Sequence, residues 1–127
     1  MSVPEFAQST APALRPRRPT PWTTSSSSAT HSTSTRFTLD IGAIPVLKQE
    51  THLPVIVDPS HPAGRRELVL PLARAAVAAG ADGIIVEVHP RPEEALCDAA
   101  QQIPTSDFHD FADEIKAFAS LMGRTIG

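Results

Sequence analysis

The sequence is short of the groups that let a small domain hold itself together. It has no tyrosine, one tryptophan (Trp22) and five phenylalanines in 127 residues. Aromatic rings bury the most area per side chain, so any core here must be built largely from aliphatic groups. A single cysteine, Cys97, excludes an internal disulfide framework and suits a reducing, cytoplasmic setting. No apolar run approaches the roughly 18 residues of a membrane span. A cationic excess is also missing. Eleven basic residues against 14 acidic ones leave a net charge of −3, which gives no footprint for nucleic acid. The length suffices for one domain.

What is abundant is proline, 13 in all, and it is unevenly spread. Residues 1–34 hold five of the prolines together with eight serines and six threonines. Arg15, Arg17 and Arg18 face a single acid there, Glu5. Such a composition buries too little apolar surface to offset chain entropy, so 1–34 reads as a disordered tail. A Ser- and Arg-rich, acid-poor start also fits an organelle transit peptide, although the proline density opposes an amphipathic helix. A third reading is a misplaced start or a gene truncation that joins unrelated residues to a real domain. The remaining residues, 35–127, carry 8 basic and 13 acidic groups.

Ordered pattern begins near Thr35. Asp40 can cap a helix from Ile41 to about Gln49, with Ile41, Ile44, Leu47 and Val46 as its apolar face and Pro45 keeping it short. The stretch Leu53 to Asp98 then organises the chain. Its two β-branched runs, Val55-Ile56-Val57 and Gly83 to about Val88, read as strands apolar on both faces, the habit of a parallel sheet. Between them Pro62 to Arg66 reads as a loop. Leu68, Leu72, Ala76 and Ala79 follow at helical spacing, Pro71 separates a short first turn from the main helix, and Gly80 stops it. Glu93, Glu94 and Ala95 suggest one turn. Ser106 or Asp107 caps a last helix with Phe108, Phe111, Ala112, Ile115, Phe118, Ala119 and Met122 on one face and Gly123 at its end.

A β-α-β unit puts the ends of both strands on one side, where reactive groups collect. His61 follows the first strand, Glu87 lies in the second, and Asp98 comes from the next loop. One imidazole and two carboxylates form a mixed N/O set suited to a divalent metal such as Mn, Fe, Co or Zn. The competing reading is three solvated loop groups. Arg65 and Arg66 stand before a helix and can grip a phosphate bidentately, or can simply be a solvated cationic loop. His89 is either a support for the site or an exposed loop histidine. Cys97 reads as a small packing residue, because adjacent side chains in extended chain point opposite ways. His31, His52 and His109 read as surface groups.

The runs TRFTLDIGAIPVLKQETHLPVIVDPSH, GRRELVLPLARAAVAAGADGIIVEVHP and PEEALCDAAQQI closely resemble the C-terminal part of the 3-deoxy-7-phosphoheptulonate synthases (DAHP synthases). The resemblance is to their type I bacterial branch, related to 3-deoxy-manno-octulosonate 8-phosphate synthase, and covers Thr35 to about Gly127. It implies an α/β fold: the C-terminal fragment of a (β/α)8 TIM barrel, with its last two strands and their helices, after the tail. It implies condensation of phosphoenolpyruvate with erythrose 4-phosphate, the first step of the shikimate pathway to aromatic amino acids, with a divalent metal holding the sugar aldehyde. The family motifs place metal ligands at His61, Glu87 and Asp98 and family arginines at Arg36, Arg65 and Arg66, here assigned to substrate phosphate. Full-length relatives are expected to be homo-oligomeric.

The sequence departs from the family in two places. Asp98-Ala99 followed by Gln101-Gln102 replaces the family's Asp-Gly and Gln-Ser. The family's fourth ligand, a cysteine after an early strand, and most of its phosphoenolpyruvate contacts have no counterpart among these residues. Two functions follow: an enzyme segment, or a noncatalytic barrel remnant that at most binds metal or self-associates. If the tail is disordered, limited proteolysis should cut within 1–34 first. Amide protection at Trp22 equal to that at Ile85 would overturn that expectation.

Overall fold

Parallel pairing joins the two apolar runs. A computed structural model describes residues 35–126, so the expected tail and His31 lie outside the described residues. β1 (Ile56–Val57) and β2 (Gly83–Ile84) run parallel, with Ile56 opposite Gly83 and Val57 opposite Ile84. Parallel neighbours need a crossover. It is supplied by a one-turn helix, α2 (Ser60–Ala63), and a long one, α3 (Arg66–Ala78).

The second run does not remain one strand. Ile85 N–H still donates to the Val57 carbonyl at 2.9 Å, but the Glu87 carbonyl accepts from Ile103 N–H, also at 2.9 Å. From there β3 (Val88–His89) pairs in parallel with β4 (Ile103–Pro104), a strand the sequence pattern did not reveal. Two residues carry no periodicity, and proline normally argues against a strand. Pro104 fits because the β4 donors facing β3 come from Ile103 and Thr105, the latter bonded to the His89 carbonyl at 3.2 Å.

Helix ends follow local chemistry with two corrections. Asp40 Oδ1 accepts from Ala43 N–H at 3.1 Å, and α1 (Ala43–Glu50) starts two residues later than expected. Pro45 lies in its first turn, where the missing donor has no helical partner anyway. Pro71 does not divide the crossover helix, which is continuous from Arg66 to Ala78. Pro71 is on the exposed side, while Val69, Ala73, Ala76 and Val77 are buried on the other. An interior proline costs about 3 kcal/mol, and burying even one Val side chain recovers about 1.5–3 kcal/mol. A 3-10 turn at Pro92–Glu94 and α4 (Phe108–Leu121) complete the chain.

All the long helices lie on one face of the strands. Ile44 of α1 and Ala76 of α3 meet Val57 and Ala81. Ala73 and Val77 of α3 meet Ile115 and Ala119 of α4. Val69 and Ala63 enclose Ile103. The opposite face is uncovered: Ile56 and Ile85 are 48% and 59% exposed. The result is a two-layer α/β unit. Among the described residues no helix is long and apolar enough to cross a membrane.

Asp82 staples three segments at the entrance to β2. Lys48 Nζ of α1 donates to its two carboxylate oxygens at 2.8 and 2.7 Å, Val55 N–H donates at 2.8 Å, and Arg124 Nη2, beyond α4, donates at 3.0 Å. The Lys48 hydrogen bond first, then that of Val55, holds the Asp82 carboxyl below the usual carboxylate range. A depressed pKa stabilises the fold above the unfolded value, and the contribution disappears as pH falls through the folded value. Asp82→Asn should therefore cost about 1 kcal/mol near neutrality, with the difference from wild type vanishing in acid. Urea midpoints measured across that range check both sign and window.

Candidate metal centre

The chain leaving β1 turns at once. Asp58 Oδ1 accepts the backbone N–H groups of Ser60 and His61 at 2.9 and 3.2 Å and so caps α2. Pro59 and Ser60 are fully buried, which anchors the turn. The three-residue spacing brings Asp58 Oδ2 to His61 Nδ1 at 2.5 Å. The other ring nitrogen, Nε2, then faces Glu87 Oε1 at 3.4 Å.

Glu87 sits where the extended segment 83–89 changes neighbours. Its N–H donates to Ser60 Oγ at 3.3 Å, and its Oε2 accepts from the buried Gln101 amide at 2.8 Å. Oε1 is the oxygen turned to His61.

Asp98 has a φ of 52°, a left-handed conformation that Asp adopts more readily than most residues. Arg36 Nη1 pairs with its Oδ1 at 2.5 Å. Phe37 N–H bonds to the Pro62 carbonyl at 3.0 Å, which brings residues 36–37 onto α2. Gly64 is needed there twice over. Its φ is 64°, and a Cβ would lie 2.7 Å from Arg36 Cβ.

His61, Glu87 and Asp98 each offer one ligand atom, all within 4.8 Å of one another. Ligands about 2.0–2.2 Å from a shared ion lie roughly 3–4 Å apart, a range that includes the His61–Glu87 separation. One nitrogen and two carboxylates fit a divalent cation. Asp58 raises the His61 pKa, chiefly through the Nδ1 hydrogen bond; partial burial opposes this, and the charges of Asp58, Glu87 and Asp98 add to it.

The other singled-out residues divide. Arg66 N–H donates to the Ala100 carbonyl at 2.9 Å and its Nε to the Gln102 carbonyl at 2.5 Å, so Arg66 ties the Asp98 loop to the start of α3. Arg65 is exposed, 3.4 Å from Glu67. Cys97 is exposed rather than packed, and its neighbour Leu96 is fully exposed as well. His89 accepts from Arg91 N–H at 3.0 Å through Nδ1, His52 is exposed, and His109 pairs with Asp113 at 3.2 Å. Two residues at the site were given no role from sequence. Asp58 had a signal, an Asp three residues before a ligand-type His at a helix start. Gln101 had none, since its contact with Glu87 arises only through tertiary structure.

A model of the DAHP synthetase I family matches residues 21–123. The chain belongs to this family. It is 54% identical over 90 residues to the phospho-2-dehydro-3-deoxyheptonate aldolase of Thermotoga maritima, covering 71% of this chain and 27% of that protein. It is 48% identical over 77 residues to the 2-dehydro-3-deoxyphosphooctonate aldolase of Desulfosudis oleivorans, covering 52% of this chain and 28% of that one. The crystal structure of the Thermotoga maritima DAHP synthase superposes with a TM-score of 0.74 at 51% identity, over 77% of this chain and 29% of that one. A truncated form of 3-deoxy-D-arabino-heptulosonate 7-phosphate synthase from the same organism gives 0.73 at 50% identity, over 78% and 38%. The chain thus spans between 27% and 35% of the length of these and other curated relatives it matches.

A metal-bound histidine must be neutral. Asp58 lets His61 keep its proton to higher pH than a free imidazole, so if His61 is a ligand, protons compete with the ion over a raised window. Mn²⁺ affinity, followed by the loss of the free-ion electron paramagnetic resonance signal, should fall about tenfold per pH unit below the His61 pKa. In His61→Ala this step should be absent.

Proposed function

We propose that this chain supplies the C-terminal, metal-holding sector of a (β/α)8 barrel, and that the barrel is a 3-deoxy-7-phosphoheptulonate synthase. The reaction joins phosphoenolpyruvate to erythrose 4-phosphate, releases phosphate and opens the shikimate pathway. The observation that carries this reading is the group of one imidazole and two carboxylates at the ends of parallel strands, with ligand atoms within 4.8 Å. Family membership and the strong identity to a heptonate aldolase support it.

In this reading His61 Nε2, Glu87 Oε1 and an Asp98 oxygen hold Mn, Fe, Co or Zn. Such an ion supplies a Lewis acid for the aldehyde of the sugar phosphate. The chain's own groups position the rest. Gln101 occupies Glu87 Oε2 and leaves Oε1 for the centre. Arg36, beside Asp98, is placed to meet an anionic substrate. Arg65 and Arg66 stand at the start of α3, and the exposed Arg65 guanidinium is placed to meet a phosphate, while Arg66 holds the 98–102 loop. Ile56 and Ile85 become interior side chains of the barrel.

A second reading, a noncatalytic module that holds metal or self-associates, is favoured by the uncovered face at Ile56 and Ile85. One assay separates them: purified chain, Mn²⁺, both substrates and a phosphate-release readout. The chain alone should bind Mn²⁺ without turnover, because substrate positioning worth about 7–11 kcal/mol is missing. Adding a polypeptide that carries the rest of the Thermotoga relative's barrel should give phosphate release that His61→Ala abolishes. Metal binding with no turnover in any mixture would favour the module. Turnover by the chain alone near about 10 per second would overturn the view that it is one sector of a site.

A further inference from the structure

We propose that Asp58 is a positioning residue that fixes the tautomer of His61 and so aims the Nε2 lone pair into the metal centre. The consequence for metal binding rests on the ligand role proposed for His61; the tautomer does not. An ionised carboxylate only accepts hydrogen bonds. Asp58 Oδ2 lies 2.5 Å from Nδ1, whereas Glu87 Oε1 lies 3.4 Å from Nε2. In the neutral ring the single proton belongs on Nδ1, where the acceptor is close. Nε2 keeps its lone pair, facing the Glu87 carboxylate.

The Asp58 carboxylate is itself held. Its Oδ1 is engaged by the Ser60 and His61 amides. The residues between Asp58 and His61 are fully buried, so this turn cannot drift. One side chain therefore caps α2 with one oxygen and orients the imidazole with the other. Partners that fix a ligand histidine's tautomer in this way raise metal affinity, and losing them typically costs about 10–100-fold.

The substitution Asp58→Asn separates the two duties. The new side chain would keep an oxygen for the cap, and asparagine caps as well as aspartate. Its amide would present a donor to Nδ1, forcing the proton to Nε2 and closing the lone pair to metal. The experiment uses the full chain with ¹⁵N-labelled histidine and two-bond ¹H–¹⁵N spectra in alkali, where the ring is neutral. His61 is assigned by its loss in His61→Ala. The wild type should show the Nδ1–H tautomer. Asp58→Asn should show Nε2–H and bind Mn²⁺ about 10–100-fold more weakly, with its other histidine signals unchanged. A purely structural cap would lose neither tautomer nor affinity in that variant.

A wild-type Nε2–H tautomer overturns the proposal, as does a folded Asp58→Asn that keeps Nδ1–H. If Asp58→Asn does not fold, the wild-type spectrum alone decides. If the wild type shows Nδ1–H but takes up no Mn²⁺, the positioning stands and the metal reading of the site fails.

Discussion

The extended segment 83–89 is bonded on one side to β1 and then to β4, and Glu87 sits at the change of partner. Everything near the candidate site depends on this shared segment. Pairing with β1 sets the point at which the chain turns into the Asp58–His61 cap. Pairing with β4 sets the return of the loop that carries Asp98 and Gln101. Because all the pairs are parallel, strand ends and their loops gather on one side. Glu87 donates its N–H to Ser60 and accepts from Ile103, so its backbone is fastened from both directions. Gly83 lies two pleats back on the same face as Glu87. A Cβ there would come within 2.7 Å of Ile56 Cδ1, so that half-exposed side chain lies across Gly83.

Around that segment the polar contacts lie at the periphery of the apolar clusters. Exposed ion pairs contribute about 0–1 kcal/mol each, so Arg36–Asp98 and Arg74–Glu114 add little stability by themselves. Their value is geometric. Arg66 directs its backbone N–H and Nε to carbonyls of the 98–102 loop, which leaves Asp98 a short tether. Asp82 does the same for α1, β1 and the segment after α4, where Arg124 also donates to the Ala81 carbonyl. The small-residue surface of α3, Ala73 and Ala76, lets helices and strands approach closely without aromatic bulk.

Legibility in the sequence tracked the range of the physics. The runs at 55–57 and 83–88 revealed strands because they are apolar on both faces, although one face is uncovered among the described residues. His61, Glu87 and Asp98 were singled out by their places after the strands together with the family motifs, since spacing alone left solvated loop groups as the competing reading. Pro71 misled because its local cost is large, while the burial that offsets it comes from α4 and the strands. Ile103–Pro104 gave no period to read, and only pairing with β3 makes it a strand. Cys97 and Gln101 share a loop, yet one is exposed and the other buried. Nothing local distinguishes them, since the decision rests with Glu87, fourteen residues from Gln101.

The uncovered face and the candidate centre are two sides of one problem. Ile56 and Ile85 point to the side on which Glu87 meets His61, and His61 itself is 47% exposed. Water that reaches Ile85 also reaches the carboxylates, screening them and competing for any ion they hold. Covering Ile56 and Ile85 with further strands would bury apolar area and dry the ligand atoms in the same step. The stability of the sheet and the strength of the centre are therefore coupled through one surface. What completes the apolar layer also sharpens the electrostatics at its end.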